Sequence, residues 1–157
     1  MDVKINRLFL LPSLMRKAVC YLVFQVFPFL SLAQVGPPAQ IGDTLQIKGT
    51  AVYGKPVDHQ TRCVHWYSSL DIIAIKFKCC GKYYPCFSCH AETTTHHSIV
   101  WPVREFNEKA ILCGVCGHEL TITEYMSCNN TCPKCTSSFN PGCANHYHLY
   151  FETKAKK

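Results

Sequence analysis

Apolar residues run almost unbroken from Ala18 to Ala33, and beyond that run they occur only in short stretches separated by polar and turn-forming residues. The first run is about sixteen residues long and is interrupted by Gln25 and Pro28, short of the about 20 apolar residues a membrane-spanning helix needs. Lys4, Arg7, Arg16 and Lys17 flank it against Asp2 alone, and it ends on Ser31-Leu32-Ala33. That layout fits a cleavable export signal over residues 1–34. A mitochondrial presequence, a membrane anchor and a wrongly assigned first exon remain open beside it, the last because no methionine occurs between Met15 and Met126. The segment from Gly36 to Gly49, GPPAQIGDTLQIKG, reads as part of a linker over residues 35–51. A domain over 52–152 and a basic tail over 153–157 complete the division. Inside the domain the β-rich run Asp71–Lys78 predicts a strand, the alternation of Glu119–Tyr125 predicts a hairpin strand, and Arg104–Ile111 predicts a helix.

Composition changes this picture at one residue type. Twelve cysteines in 157 residues are several times the ordinary usage, and eleven of them, with seven of the eight histidines, lie between Cys63 and His148. Such density means disulfides in a small secreted protein and metal in a reducing compartment. The spacings favour metal. In order they read Cys63-x-His65, Cys79-Cys80, Cys86-x-x-Cys89-His90, His96, Cys113-x-x-Cys116 and Cys132-x-x-Cys135. Structural zinc takes four nitrogen or sulfur ligands in a closed tetrahedron, so these twelve ligands divide into three zinc ions without remainder.

Cys113, Cys116, Cys132 and Cys135 form the best-defined set, because the fifteen residues between Cys116 and Cys132 match the paired-knuckle spacing of a zinc site. The upstream eight ligands must fill two sites. Cys79 and Cys80 would point to opposite faces of an extended chain, which predicts that they serve different ions. His96 is favoured over His97, and His59, His97 and His118 are read as ordinary surface or core residues. Cys143 with His146 or His148 is a candidate for a further, weaker metal site.

Rival chemistry explains less. Cys86-Phe-Ser-Cys89-His90 has the form of a haem-attachment motif, but haem leaves the seven other cysteines of the set without use. A redox CxxC normally stands alone, and a secreted disulfide-rich protein would not need histidine beside its cysteines. Without the first 33 residues the balance is 12 basic to 9 acidic residues, +3; nine thiolates and three zinc dications bring it to zero. A neutral core lacks the cationic stripe that drives nucleic-acid binding. No HExxH or deaminase motif is present, and twelve ligands close every site, so the reading is a non-enzyme. A membrane partner applies only if the N-terminal segment is retained.

The segments Cys63-Val-His65-Trp-Tyr67, Phe77-Lys-Cys79-Cys80, Tyr83-Tyr-Pro-Cys86-Phe-Ser-Cys89-His90-Ala-Glu92 and Cys113-Gly-Val-Cys116 closely resemble the CHY-type zinc finger. The flanks Tyr53–Asp58 and Phe139–Phe151, both free of the named ligands, resemble the helper-of-Tim branch found in the fungal mitochondrial intermembrane space. The resemblance implies three zinc ions on the twelve positions above. It also implies a role beside the disulfide relay that imports small Tim chaperones, with the import oxidoreductase and the small Tim proteins as partners and the oxidoreductase kept free of zinc. A static zinc-stabilised interaction module, like the ubiquitin-ligase relatives but without their RING, is the alternative, and a secreted disulfide-rich protein is a third. The expected architecture is small α+β and zinc-nucleated: short hairpins, a C-terminal zinc-ribbon-like site, little conventional core, and Trp66, Tyr83, Tyr84, Phe106 and Phe151 packed between the ions.

Overall fold

The computed structural model describes Gly36 and residues 38–153. The chain divides into two units, residues 1–35 and 36–157, and all described residues belong to the second. The N-terminal segment expected over 1–34 and most of the basic tail therefore lie outside the described residues. No helix among the described residues is long and apolar enough to cross a membrane.

The stretch read as a linker is part of the sheet. In Thr44–Ile47 (β1) Leu45 and Ile47 point inward and Thr44 and Gln46 outward, the alternation of a half-buried strand. Lys48 and Gly49, both at positive φ, turn the chain directly into Thr50–Tyr53 (β2) with Ile47 opposite Thr50. Two such residues make the tight hairpin turn whose twist suits the flanking strands. The predicted central strand appears as Ile73–Lys76 (β3), and Tyr83–Tyr84 (β4) pairs antiparallel with it.

Two sequence expectations are corrected further along. Arg104–Ile111 is not a helix: Pro102 precedes a single 3₁₀ turn, Val103–Glu105, and the chain then extends as Lys109–Cys113 (β5). Ala110, Ile111, Leu112 and Cys113 are all buried, so this strand carries apolar residues on both faces and lacks the alternation that would have marked it. Glu119–Tyr125 is a strand only at Glu119–Thr121 (β6). A helix, Ile122–Ser127, starts there because the Thr121 hydroxyl accepts the Glu124 amide while the Glu124 carboxylate accepts the Thr121 amide, a reciprocal capping box. We label it α2; α1 is Phe87–Thr93.

The six strands form one sheet in the order β1-β2-β4-β3-β5-β6, antiparallel except between β2 and β4. Successive residues of β3 and β5 feed two separate cores. Ala74 and Leu112 join Leu45, Ile47, Val52 and Tyr83 in the smaller one. Ile73, Ile75, Ile111 and Cys113 join Phe77, Tyr84, Leu120, Ile122, Tyr125, Phe139 and Phe151 in the larger. This is a small α+β fold, but with more conventional core than the sequence suggested. Trp66 is the exception among the expected packing aromatics: it is 48% exposed, resting against His146. Past the 3₁₀ segment Pro141–Leu149, Phe151 bridges Trp101, whose indole donates to the Lys76 carbonyl.

Candidate metal centres

Four loops, the start of α1 and the segment after it bring the twelve cysteines and histidines singled out in the sequence into three groups of four. The first is Cys63, His65, Cys86 and Cys89; the second is Cys79, Cys80, His90 and His96; the third is Cys113, Cys116, Cys132 and Cys135. His59, His97 and His118 are in none of them.

In the first group Cys86 caps α1, its sulfur accepting the Cys89 amide at 3.4 Å, so the CxxC turn puts both sulfurs on one side of the helix start. Cys63 arrives from a loop pinned by mutual backbone bonds with Trp66. Cys63 and Cys86 sulfurs are 3.7 Å apart, and His65 Nδ1 lies 3.5 Å from both Cys86 and Cys89. The other ring nitrogen, Nε2, meets the Glu92 carboxylate at 3.0 Å, and Lys55 Nζ binds the same carboxylate at 2.6 Å. Hydrogen bonds from Lys55 and then His65 hold Glu92 below the usual carboxylate range. A carboxylate on the far nitrogen fixes the ring and its tautomer, leaving the Nδ1 lone pair for a cation. Glu92 and Lys55 were not recognised as functional from sequence; the His90-Ala-Glu92 stretch one turn after the CxxC was the available signal.

The second group corrects the expectation that adjacent cysteines part company. Residues 78–80 are a turn, not strand; Gly81, at φ 67°, closes it with its amide on the Phe77 carbonyl, and the Cys79 and Cys80 sulfurs lie 4.0 Å apart. His90 Nε2 is 3.3 Å from Cys79 Sγ and 3.2 Å from His96 Nε2. The His90 ring stacks on Phe77 with centroids 4.0 Å apart and meets Tyr84 edge-on. Burial, and secondarily the nearby His96, lowers its pKa and keeps the imidazole neutral with a lone pair to give. Phe77 is the second positioning residue that sequence reasoning missed.

The third group joins two knuckles. Cys113 ends β5, and Gly117, at φ 71°, returns its amide to the Cys113 carbonyl; Thr136 does the same to Cys132. Cys113–Cys135 and Cys116–Cys132 sulfur separations are both 3.8 Å.

These separations test the fit to zinc. A tetrahedron with Zn–S bonds of about 2.3 Å and Zn–N bonds of about 2.0 Å has S···S edges of about 3.8 Å and N···N edges of about 3.3 Å. The sulfur–sulfur separations of 3.7 Å in the first group, 4.0 Å in the second and 3.8 Å in the third lie close to these edges, as does the 3.2 Å between the two histidine nitrogens of the second, and all eleven described cysteines are free of disulfides. The protonation balance points the same way. Hydrogen bonds from Cys86 and Cys89 lower the Cys63 thiol, while those with Cys63 push the Cys86 and Cys89 thiols up. Three thiols around one point share a single negative charge until a cation displaces the other protons.

The two spare thiols do not extend the set. Cys128 donates to the Tyr125 carbonyl at 3.1 Å. Cys143 lines a cavity of about 280 Å³ with Tyr125, His146 and Tyr147, and no group of three or more ligands among the described residues includes it.

A sheet with three groups of four converging cysteine and histidine side chains defines a zinc-finger protein that binds about three zinc ions. The chain belongs to the CHY zinc finger family, which matches residues 63–147. Among curated proteins it is 52% identical over 111 residues to Helper of Tim protein 13 of Saccharomyces cerevisiae, covering 66% of this chain and 91% of that protein. Helper of Tim protein 13 of Kluyveromyces lactis is 44% identical over 100 residues, 64% of this chain and 87% of that one. An uncharacterised protein of Schizosaccharomyces pombe is 44% identical over 103 residues, with 66% and 90% covered.

Proposed function

We propose that the twelve grouped residues are the zinc ligands and that the protein is a non-catalytic accessory in the assembly of Tim proteins in the mitochondrial intermembrane space. It accepts zinc from the import oxidoreductase, so that the thiols of that relay are free to be oxidised. The observation that carries this reading is the set of three four-ligand groups with near zinc-length edges in a chain 52% identical over 111 residues to Helper of Tim protein 13 of Saccharomyces cerevisiae. Every group has four protein ligands, which leaves no coordination position for a substrate and supports metal handling over hydrolysis. The chemistry is competition between thiolates. Zinc bound to a pair of relay thiolates blocks their oxidation, and a protein with nine converging sulfurs is a strong competitor for it.

The small Tim proteins and the oxidoreductase are the partners in this reading, and nucleic acid is not one. A second reading, a static interaction module, draws on the burial of Cys63, Cys89, Cys113 and Cys132 in the core, where zinc serves only to fold the chain. Mixing the full chain, with its labile zinc removed, with the zinc-loaded, reduced oxidoreductase separates the two. Transfer of zinc and faster reoxidation of the relay support the accessory role. Retention of zinc by the oxidoreductase, with the chain still folded, supports the static module.

A further inference from the structure

The three groups differ in what holds their ligands. In the first, Cys63, Cys86 and Cys89 are buried and the single histidine is tied to Glu92. In the third, Cys113 and Cys132 are buried in the larger core and each knuckle is closed by its own backbone hydrogen bonds. In the second, only His90 is buried; Cys79 and Cys80 are half-buried and His96 is exposed. His96 sits on the segment that follows α1, and among the described residues no backbone–backbone hydrogen bond involves residues 95–100. The Thr94 hydroxyl on the His96 carbonyl and the Ile99 amide facing Cys79 tether that segment.

The other three ligands of the second group do not depend on metal for their positions. His90 is fixed by α1 and by its stack on Phe77, and the cysteine pair by the Gly81 turn. Losing its ion frees one exposed segment, whereas losing either of the others leaves buried thiols in the core without partners.

We propose that Cys79, Cys80, His90 and His96 form the exchange site of this protein, with His96 as the ligand that leaves and returns. This rests on the zinc-accepting function proposed above and names the place where it happens. On transfer the zinc ion leaves two thiolates of the donor, which each take up a proton, and enters the second group, where the Cys79 and Cys80 thiols each give up one. No electrons move and the proton count balances. The ions of the first and third groups stay and keep the chain folded.

The test uses the full chain loaded with zinc and the chromogenic chelator 4-(2-pyridylazo)resorcinol. One zinc per chain is expected to leave in a fast phase with the far-ultraviolet circular dichroism unchanged. N-ethylmaleimide pulses followed by peptide mass spectrometry are expected to label Cys79 and Cys80 ahead of the other clustered cysteines. His96→Ala, which removes a ligand outright, is expected to speed the fast phase by at least the roughly tenfold that loss of an outer-shell partner costs a metal site, with the slow phases unchanged. His65→Ala is expected to leave the fast phase as it is. First labelling at Cys116 and Cys135, or loss of all zinc together with the structure, would overturn the proposal. A parallel arm with the zinc-loaded oxidoreductase keeps the two claims apart. If Cys79 and Cys80 are released first by the chelator and the oxidoreductase still keeps its zinc, the accepting function fails while the labile-site assignment stands. If the oxidoreductase gives up its zinc and Cys79 and Cys80 do not become protected, the accepting function stands and this inference fails.

Discussion

The carboxylate of Glu92 joins Lys55 to His65, and this one contact shows how much of a metal site lies outside its ligands. Replacing it by Glu92→Gln keeps the size and removes the charge that fixes the His65 tautomer. The first group is then expected to bind zinc about ten- to a hundredfold more weakly, measured by competition with a chelator of known affinity. Gly54 makes a related point about space. It has a φ of 122°, and a Cβ there would lie 2.8 Å from Cys89 Cβ and 3.1 Å from its sulfur. Gly54→Ala is expected to destabilise the protein by about 1–3 kcal/mol, the usual size of such backbone strain, with loss of one zinc; a thermal melt with a metal count checks both. The ligands themselves were legible because a CxxC turn announces its geometry in four letters. Glu92 and Phe77 were not, because a carboxylate behind a histidine and a ring beneath one are set by the fold and have no fixed spacing. Cys79-Cys80 misled for the same reason: the extended reading of two adjacent residues fails once a glycine turns the chain after them.

The helix Ile122–Ser127 begins at a capping box that the sequence carries as Thr121-x-x-Glu124 within a stretch of β-rich composition. Composition favoured a strand, and two satisfied amides at the helix start outweighed it. Thr121→Ala is therefore expected to cost about 1 kcal/mol, seen as a lower denaturant midpoint with an unchanged slope. The same contact responds to pH. Its hydrogen bonds with the Thr121 amide and hydroxyl hold the Glu124 carboxylate below its ordinary value, so this stabilisation is fully present above about pH 4.3 and is lost as pH falls through the folded value. Urea titrations across the acid range are expected to show a steeper loss in the wild type than in Glu124→Gln, which keeps the acid loss due to Glu92 and to zinc release. The strand Lys109–Cys113 was hidden by the opposite effect: buried on both faces, it shows no alternation, and a short apolar run without a period does not distinguish strand from helix. The hairpin of β1 and β2 was obscured by the glycines and prolines around it, although Lys48-Gly49 is itself the turn.

For the molecule as a whole, the sheet and the three metal groups are one structure, since Cys63, Cys86, Cys89, Cys113 and Cys132 belong to the same core as Ile75, Phe77 and Phe151. Structural zinc contributes about 10–16 kcal/mol apparent in small zinc domains, against a net stability of about 5–15 kcal/mol for an ordinary domain, so complete removal of zinc is expected to leave no folded sheet. Leu112→Ala, in the smaller core that contains none of the twelve grouped residues although Leu112 directly precedes Cys113, is expected to cost about 2–5 kcal/mol and to leave the zinc count unchanged. The central claim is that three zinc ions, each on four cysteine and histidine side chains, build this fold. It is tested most directly by native mass spectrometry of the full chain purified from a reducing cytosol, with thiol alkylation before and after chelation. The account predicts three zinc ions per chain, with nine thiols protected until the chelator is added. Fewer than one zinc per chain, with those thiols already oxidised to disulfides, would contradict it.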